Sequence, residues 1–198
     1  AVPASRGMAR GRVRRRGDGA RVTSERRVGP SATFLDPAVV EGIDVARGPG
    51  SVAYGSDALG GVISVRTRHA EPGSPLRVGG TALFGGGTPD RRGSVELAKG
   101  FAKGGILVAG HARDAGDWSS PEDDTDIFNS GWKDGGFVVR GNHVLGPGVL
   151  TAGWQSDFAR DVERPRNNSR TVRFFYPYEN SHRLTSSYDL GNRGGLEQ

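Results

Sequence analysis

Glu122, Asp123, Asp124 and Asp126 form the densest set of hard oxygen ligands in the chain. A calcium loop of the EF-hand kind would add a glycine at its sharp turn and a closing glutamate. Neither is present, so Pro121–Asp126 reads as a solvated loop. His69, His111, His143 and His182 are scattered, and none falls in a His-Glu-x-x-His or other paired-ligand spacing. The chain has no cysteine, which removes disulfides, zinc–cysteine sites and thiol nucleophiles together. No catalytic residue, metal or cofactor is expected, and the chain does not read as an enzyme.

The arginines point to binding instead. Arg10-Gly11-Arg12-Val13-Arg14-Arg15-Arg16-Gly17 is an intensely basic run, and one reading is an RG-type arm for nucleic acid. Residues 1–33 carry no aromatic side chain on which a base could stack. A solvated charge run is therefore preferred, and no nucleic-acid partner is expected. Only Lys99, Lys103 and Lys133 are lysines among 27 basic residues, in a chain with 33 glycines and a net charge of +5. That bias suits genomic composition better than a designed binding surface.

Glycine and proline punctuate Val45–Val65, which reads VARGPGSVAYGSDALGGVISV. Gly48-Pro49-Gly50-Ser51 is a turn, because proline presets φ and glycine tolerates positive φ. Gly55-Ser56-Asp57 is a second turn, and Gly60-Gly61 lets the backbone pass close to another surface. Val62–Thr67 then reads as a strand by its branched residues and alternation. Upstream, Asp36-Pro37 is an N-cap with proline at the first helical position. It predicts a short helix through Glu41, leading into a strand over Gly42–Ala46.

The order of these pieces resembles the signature near the end of the plug domain of TonB-dependent outer-membrane receptors. The resemblance rests on Ile43-Asp44-Val45-Ala46, then Arg47-Gly48-Pro49-Gly50-Ser51, then Tyr54-Gly55-Ser56-Asp57-Ala58-Leu59-Gly60-Gly61-Val62-Ile63. Ser64 stands where the family often has asparagine. Ser5-Arg6-Gly7-Met8 is similar to the family's RG motif, and Asp18-Gly19-Ala20-Arg21-Val22 to its DG-x-R-V turn. Between these landmarks the family has an apolar strand, whereas Val13–Gly17 carries three arginines. Buried arginines need partners, so the expectation is that this strand is displaced or the local sequence damaged.

After Arg68 the pattern changes. His69–Pro75 reads as a linker, and beyond it strands of about ten residues alternate with turns, as barrel strands do. Leu76, Val78, Gly80, Ala82 and Phe84 share a face. So do Val95, Leu97 and Phe101, then Ile106, Val108 and Ala112. Lys99 breaks the second set, which is tolerable only near a membrane interface. Ala115–Asp134 reads as a long polar loop. Phe137–Val144 and Val149–Phe158 form a hairpin through Gly146-Pro147-Gly148, with Leu150, Ala152, Trp154 and Phe158 on one side. Arg183–Leu190 repeats the rule with Leu184, Tyr188 and Leu190. Trp118, Trp132, Trp154 and Tyr188 are candidates for interfacial aromatic girdles.

The expected fold is thus a mixed α/β plug (residues 1–70), a linker (71–75) and the first, antiparallel strands of an incomplete transmembrane β-barrel (76–198). The resemblance implies a receptor in the outer membrane of a Gram-negative bacterium, in contact with its lipid. It would import a scarce ligand, a ferric siderophore first, with cobalamin, haem or an oligosaccharide as alternatives. Energy would come through TonB, whose contact box would precede Ala1. No signal peptide is visible, so an N-terminal part is expected to be missing. The resemblance also implies that Arg6 and Arg47 lock the plug to barrel-wall glutamates on later strands. It assigns turns to Gly48, Pro49, Gly50, Tyr54, Gly55, Gly60 and Gly61. By position alone, Ser24, Glu25, Arg26 and Arg27 would face the ligand.

Overall fold

The computed structural model describes residues 4–5, 8–9, 13–21, 39–48, 54–55, 58–85, 90–120, 125–163 and 171–190. The chain divides between Arg68 and His69 into two compact units. All of the described elements are strands.

In the first unit, β1 (Ala4–Ser5) and β2 (Met8–Ala9) form a two-residue antiparallel pair. A four-stranded sheet follows, built from β3 (Val13–Gly17), β4 (Ala20–Arg21), β5 (Val40–Arg47) and β6 (Gly61–Thr67) in the order β4-β3-β6-β5. β3 and β4 are joined by Asp18-Gly19, with φ of 49° and 80°. Two successive positive values make the tight hairpin turn that Asp-Gly adopts most readily. β6 pairs in parallel with β3 and antiparallel with β5. Ala58, Val62 and Val39 are buried.

Two expectations change here. The part of the arginine run within Val13–Gly17 is neither displaced nor a free arm. Val13–Gly17 occupies a central strand, in register from Val13 opposite Gly61 to Gly17 opposite Val65. Arg16 Nε donates to the Gly19 carbonyl at 3.0 Å, and its guanidinium lies 5.5 Å from the Tyr54 ring centroid. The cation thus has a carbonyl and an aromatic face for partners, which answers the cost of taking it out of water. The helix from Asp36 begins outside the described residues, and it does not run to Glu41. Val40 and Glu41 already belong to β5, where β-branched residues pack better than in a helix.

In the second unit six strands form an antiparallel meander in the order β7-β8-β9-β12-β13-β14. They are β7 (Arg77–Gly85), β8 (Asp90–Phe101), β9 (Gly104–Ala115), β12 (Trp132–Leu145), β13 (Gly148–Glu163) and β14 (Phe175–Leu190). Short turns at Ala102-Lys103 and Gly146-Pro147 lie at one end, and the longer connections lie at the other. The segment expected as one loop, Ala115–Asp134, holds a small hairpin of β10 (Trp118–Ser119) and β11 (Asp126–Ile127). β12 starts five residues before the expected Phe137, β13 runs five beyond Phe158, and β14 starts eight before Arg183. Polar residues such as Lys133, Asp134, Arg160 and Asp161 fill these extensions, so alternation gives no warning of them. Pro177 sits in β14, the edge strand, where its missing N–H costs no ladder bond to a further strand.

His69–Pro75 does not run free. Asn142 Nδ2 donates to the Ala70 carbonyl at 2.7 Å, Gly73 N to Phe101 O at 2.8 Å, and Gly100 N to Ser74 O at 3.1 Å. A Cβ at Gly105 would come within 2.6 Å of the Ala70 carbonyl oxygen. Glycine there is what lets the segment lie against the β8–β9 hairpin.

Candidate functional site

The glycine-rich motif ends a sheet edge and starts a central strand. Arg47 closes β5 opposite Gly61 and is exposed, and Gly48 follows with φ of 106°. Gly55, with φ of 90°, accepts a bond from Ala58 N at 3.0 Å, and this turn seats the fully buried Ala58. Gly60 and Gly61 are buried, and Gly61 opens β6 with φ of 140°. Only glycine takes that conformation without strain. Tyr54 packs against Arg16 as described. Pro49, Gly50, Arg6, Ser24, Glu25, Arg26 and Arg27 lie outside the described residues, as do Glu122, Asp123 and Asp124.

One pair absent from the sequence reading fastens this sheet. Asp18 Oδ1 accepts from Thr67 N and Oδ2 from Thr67 Oγ1, both at 2.8 Å, while Asp18 N donates to Val65 O at 2.9 Å. The two residues are 49 positions apart, too far for local pattern to link them. Gly61→Val should strain β6 at its first residue and loosen this unit. Limited proteolysis of the membrane-inserted protein should then cut within residues 1–68, sites that resist in the parent. Unaltered resistance would mean that Gly61 is not under this constraint.

The six-stranded sheet has two chemically different faces. Register aligns Val78, Leu97, Val108, Val139, Trp154 and Leu184 in a single row across all six strands. All six share one face, and five of them are exposed large apolar side chains, Leu184 at 81%. Phe84, Val95, Phe101, Ile106, Leu150, Phe158 and Tyr188 lie exposed on the same face. Tyr188 OH donates to the Leu145 carbonyl at the short-turn end. Lys99 is two residues from that end of β8, where an interface would lie. An apolar exposed surface of this extent does not suit water.

The opposite face carries the charged and polar side chains, set among the small or buried apolar residues Ala98, Leu107, Ala109, Val138 and Ala159, and much of it is buried. Arg113 and Asp134 are cross-strand neighbours joined by two hydrogen bonds, the Nε–Oδ1 bond at 2.7 Å. The Arg113 guanidinium also lies 5.1 Å from the Trp132 ring centroid, with Arg92 on the same ring at 6.0 Å. Trp132 therefore stands on the polar face, away from Trp154, and does not belong to a lipid-facing girdle. Trp118 stands on the separate β10–β11 hairpin. Asp157 is 2% exposed and takes a bond from Gln155 Nε2 at 2.8 Å, while Arg183 Nη1 donates to Gln155 Oε1 at 3.0 Å. Apolar outside and charged inside, alternating along strands joined by short and long turns, is the pattern of an outer-membrane barrel wall.

Residues 2–62 match the family described as TonB-dependent Receptor Plug Domain. Over that span the chain carries the plug domain of the TonB-dependent receptors. It is 36% identical over 105 residues to a hemin receptor of Yersinia pestis, a match covering 48% of this chain and 16% of that protein. It is 33% identical over 90 residues to the vitamin B12 transporter BtuB of Vibrio vulnificus, covering 46% and 14%. The chain thus spans about a sixth of the length of these relatives. Its fold is similar to that of the siderophore receptor PirA from Acinetobacter baumannii, with a TM-score of 0.69 at 16% identity, covering 92% of this chain and 31% of that one. The siderophore receptor PiuA from the same organism gives a TM-score of 0.62 at 19% identity, covering 80% and 20%. The six-stranded sheet has the form of a stretch of the barrel wall of such outer-membrane proteins. The long-connection end of such a wall faces outward and the short-turn end faces the periplasm.

Proposed function

We propose that the receptor imports a scarce, metal-bearing small molecule through a plugged barrel, energised by TonB, and catalyses no covalent reaction. The observation that carries this reading is the plug signature, Arg47–Gly61 leading into β6, followed directly by wall strands with an apolar face. A ferric siderophore is the first ligand class. A metal macrocycle is the second, favoured because the relatives above 30% identity are named for hemin and vitamin B12. Deleting the gene in its own host and supplying ferric siderophore, hemin or cobalamin as the limiting nutrient tests both. Growth should fail on one of these sources and return with the restored gene. Unchanged growth on all three would contradict the proposal.

Arg47, and Arg6 beside it in the family pattern, would lock the plug by charge-assisted pairing with barrel-wall carboxylates. In the full-length receptor Arg47→Glu should then set like charges against each other and loosen the plug. Passive entry of a large antibiotic should rise several-fold while receptor abundance in the membrane stays normal. Low permeability with intact ligand uptake would remove this role from Arg47.

A further inference from the structure

Toward the long-connection end, the apolar face of the sheet changes character. Arg91 is aligned with Asp114, Asp114 with Lys133, Lys133 with Arg160, and Arg160 with Tyr178. These five side chains form one row across β8, β9, β12, β13 and β14, on the lipid-facing side, and all are exposed. Three are cations and one is an anion. Lys133 Nζ meets Asp114 Oδ2 at 3.1 Å, and both side chains are more than half exposed. Arg91 and Arg160 flank that pair.

The next row inward reads Gly93, Ala112, Gly135, Phe158 and Asn180. Its first three members are small, so the wall is shallow directly beneath the cations. Below it come the mixed row Val95, Gly110, Phe137, Ser156 and His182 and then the apolar row from Leu97 to Leu184. A lipid standing against this wall would find acyl-chain contacts, then a shallow step, then positive charge. Cations at a lipid-facing rim attract anionic headgroups. Adjacent strands are about 4.8 Å apart, so Lys133 and Arg160 stand side by side with Arg91 roughly 10 Å away. That spread suits a headgroup with two phosphates better than one small ion.

We propose that Arg91, Lys133 and Arg160 form a binding row for the phosphates of a phosphorylated glycolipid of the outer leaflet, whose acyl chain lies over Gly93, Ala112 and Gly135. The site is separate from ligand import and rests only on the wall's place in the membrane. Bidentate guanidinium contacts at both ends of the row would fix the lipid's register.

The test uses the full-length receptor in detergent, titrated with bisphosphorylated lipid A and with the same lipid stripped of phosphate, and read by native mass spectrometry. The parent should prefer the phosphorylated lipid by on the order of tenfold. R91Q/K133Q/R160Q should lose that preference while keeping the heat-modifiable mobility of a closed barrel. Lys99→Gln, at the opposite rim of the same face, should retain it. Should the triple variant fail to assemble, Arg91→Gln and Arg160→Gln singly should each weaken the preference several-fold. Equal affinity for the two lipids, or an unchanged preference in the variants, would overturn the proposal. So would displacement of the lipid by millimolar inorganic phosphate, which would make the row a free-anion site. Ligand uptake by the assembled variants should match the parent, so that loss of lipid preference and loss of transport are read separately.

Discussion

Leu184→Arg should keep the receptor from accumulating as an assembled barrel, while Thr185→Arg, one residue along β14, should leave assembly intact. Leu184 ends the apolar row that crosses all six strands, with Trp154 as its direct neighbour. Thr185 faces the other way, where its Oγ1 lies 3.4 Å from the Gly153 carbonyl. A guanidinium at the middle of the lipid-facing wall costs about 2–4 kcal/mol, enough to change the assembled fraction by more than tenfold. On the polar face it meets water and other polar groups. Quantifying the heat-modifiable band of the full-length receptor in outer membranes separates the two. Equal yields would mean that the faces are misassigned.

Removing one half of the Arg113–Asp134 pair should have an effect of similar size through a different cause. The two side chains are 13% and 8% exposed, so Asp134→Ala leaves a largely buried cation without its acid. Such losses run to about 3–5 kcal/mol, mostly the cost of stranding the remaining charge rather than the worth of the pair. Trp132, packed under Arg113, should loosen as well. Arg113→Leu combined with Asp134→Leu should recover most of the loss, since it leaves no charge behind. The temperature of heat modification should fall clearly for Asp134→Ala and much less for the double variant. If the double variant is the worse of the two, the pair contributes net attraction rather than mutual compensation.

Much of the wall was legible because lipid imposes a two-residue period wherever a strand crosses it. Val95, Leu97 and Phe101 announce β8, and Leu150, Ala152, Trp154 and Phe158 announce β13. Outside the apolar band nothing imposes that period, so the polar ends of β12, β13 and β14 read as loop. The plug turns were legible because Gly48, Gly55 and Gly61 mark positive φ. Three features were not. The arginines of Val13–Gly17 look incompatible with a sheet until Gly19 and Tyr54 stand beside Arg16. The Asp18–Thr67 fastening depends on chain reversal over 49 residues. Trp132 resembles a girdle residue by type, and only its register opposite Ala115 puts it on the polar face.

The central claim is that β7 to β9 and β12 to β14 cross a membrane with one face to lipid. The chain contains no cysteine, which suits single-cysteine spin labelling. Labels placed one at a time at Leu150 through Phe158, in the full-length receptor reconstituted in lipid, would report exposure to oxygen and to a water-soluble nickel complex. Oxygen access should rise and nickel access fall at positions 150, 152, 154 and 158, with the reverse at 151, 153, 155 and 157. Equal access at all positions, or the opposite alternation, would contradict the account.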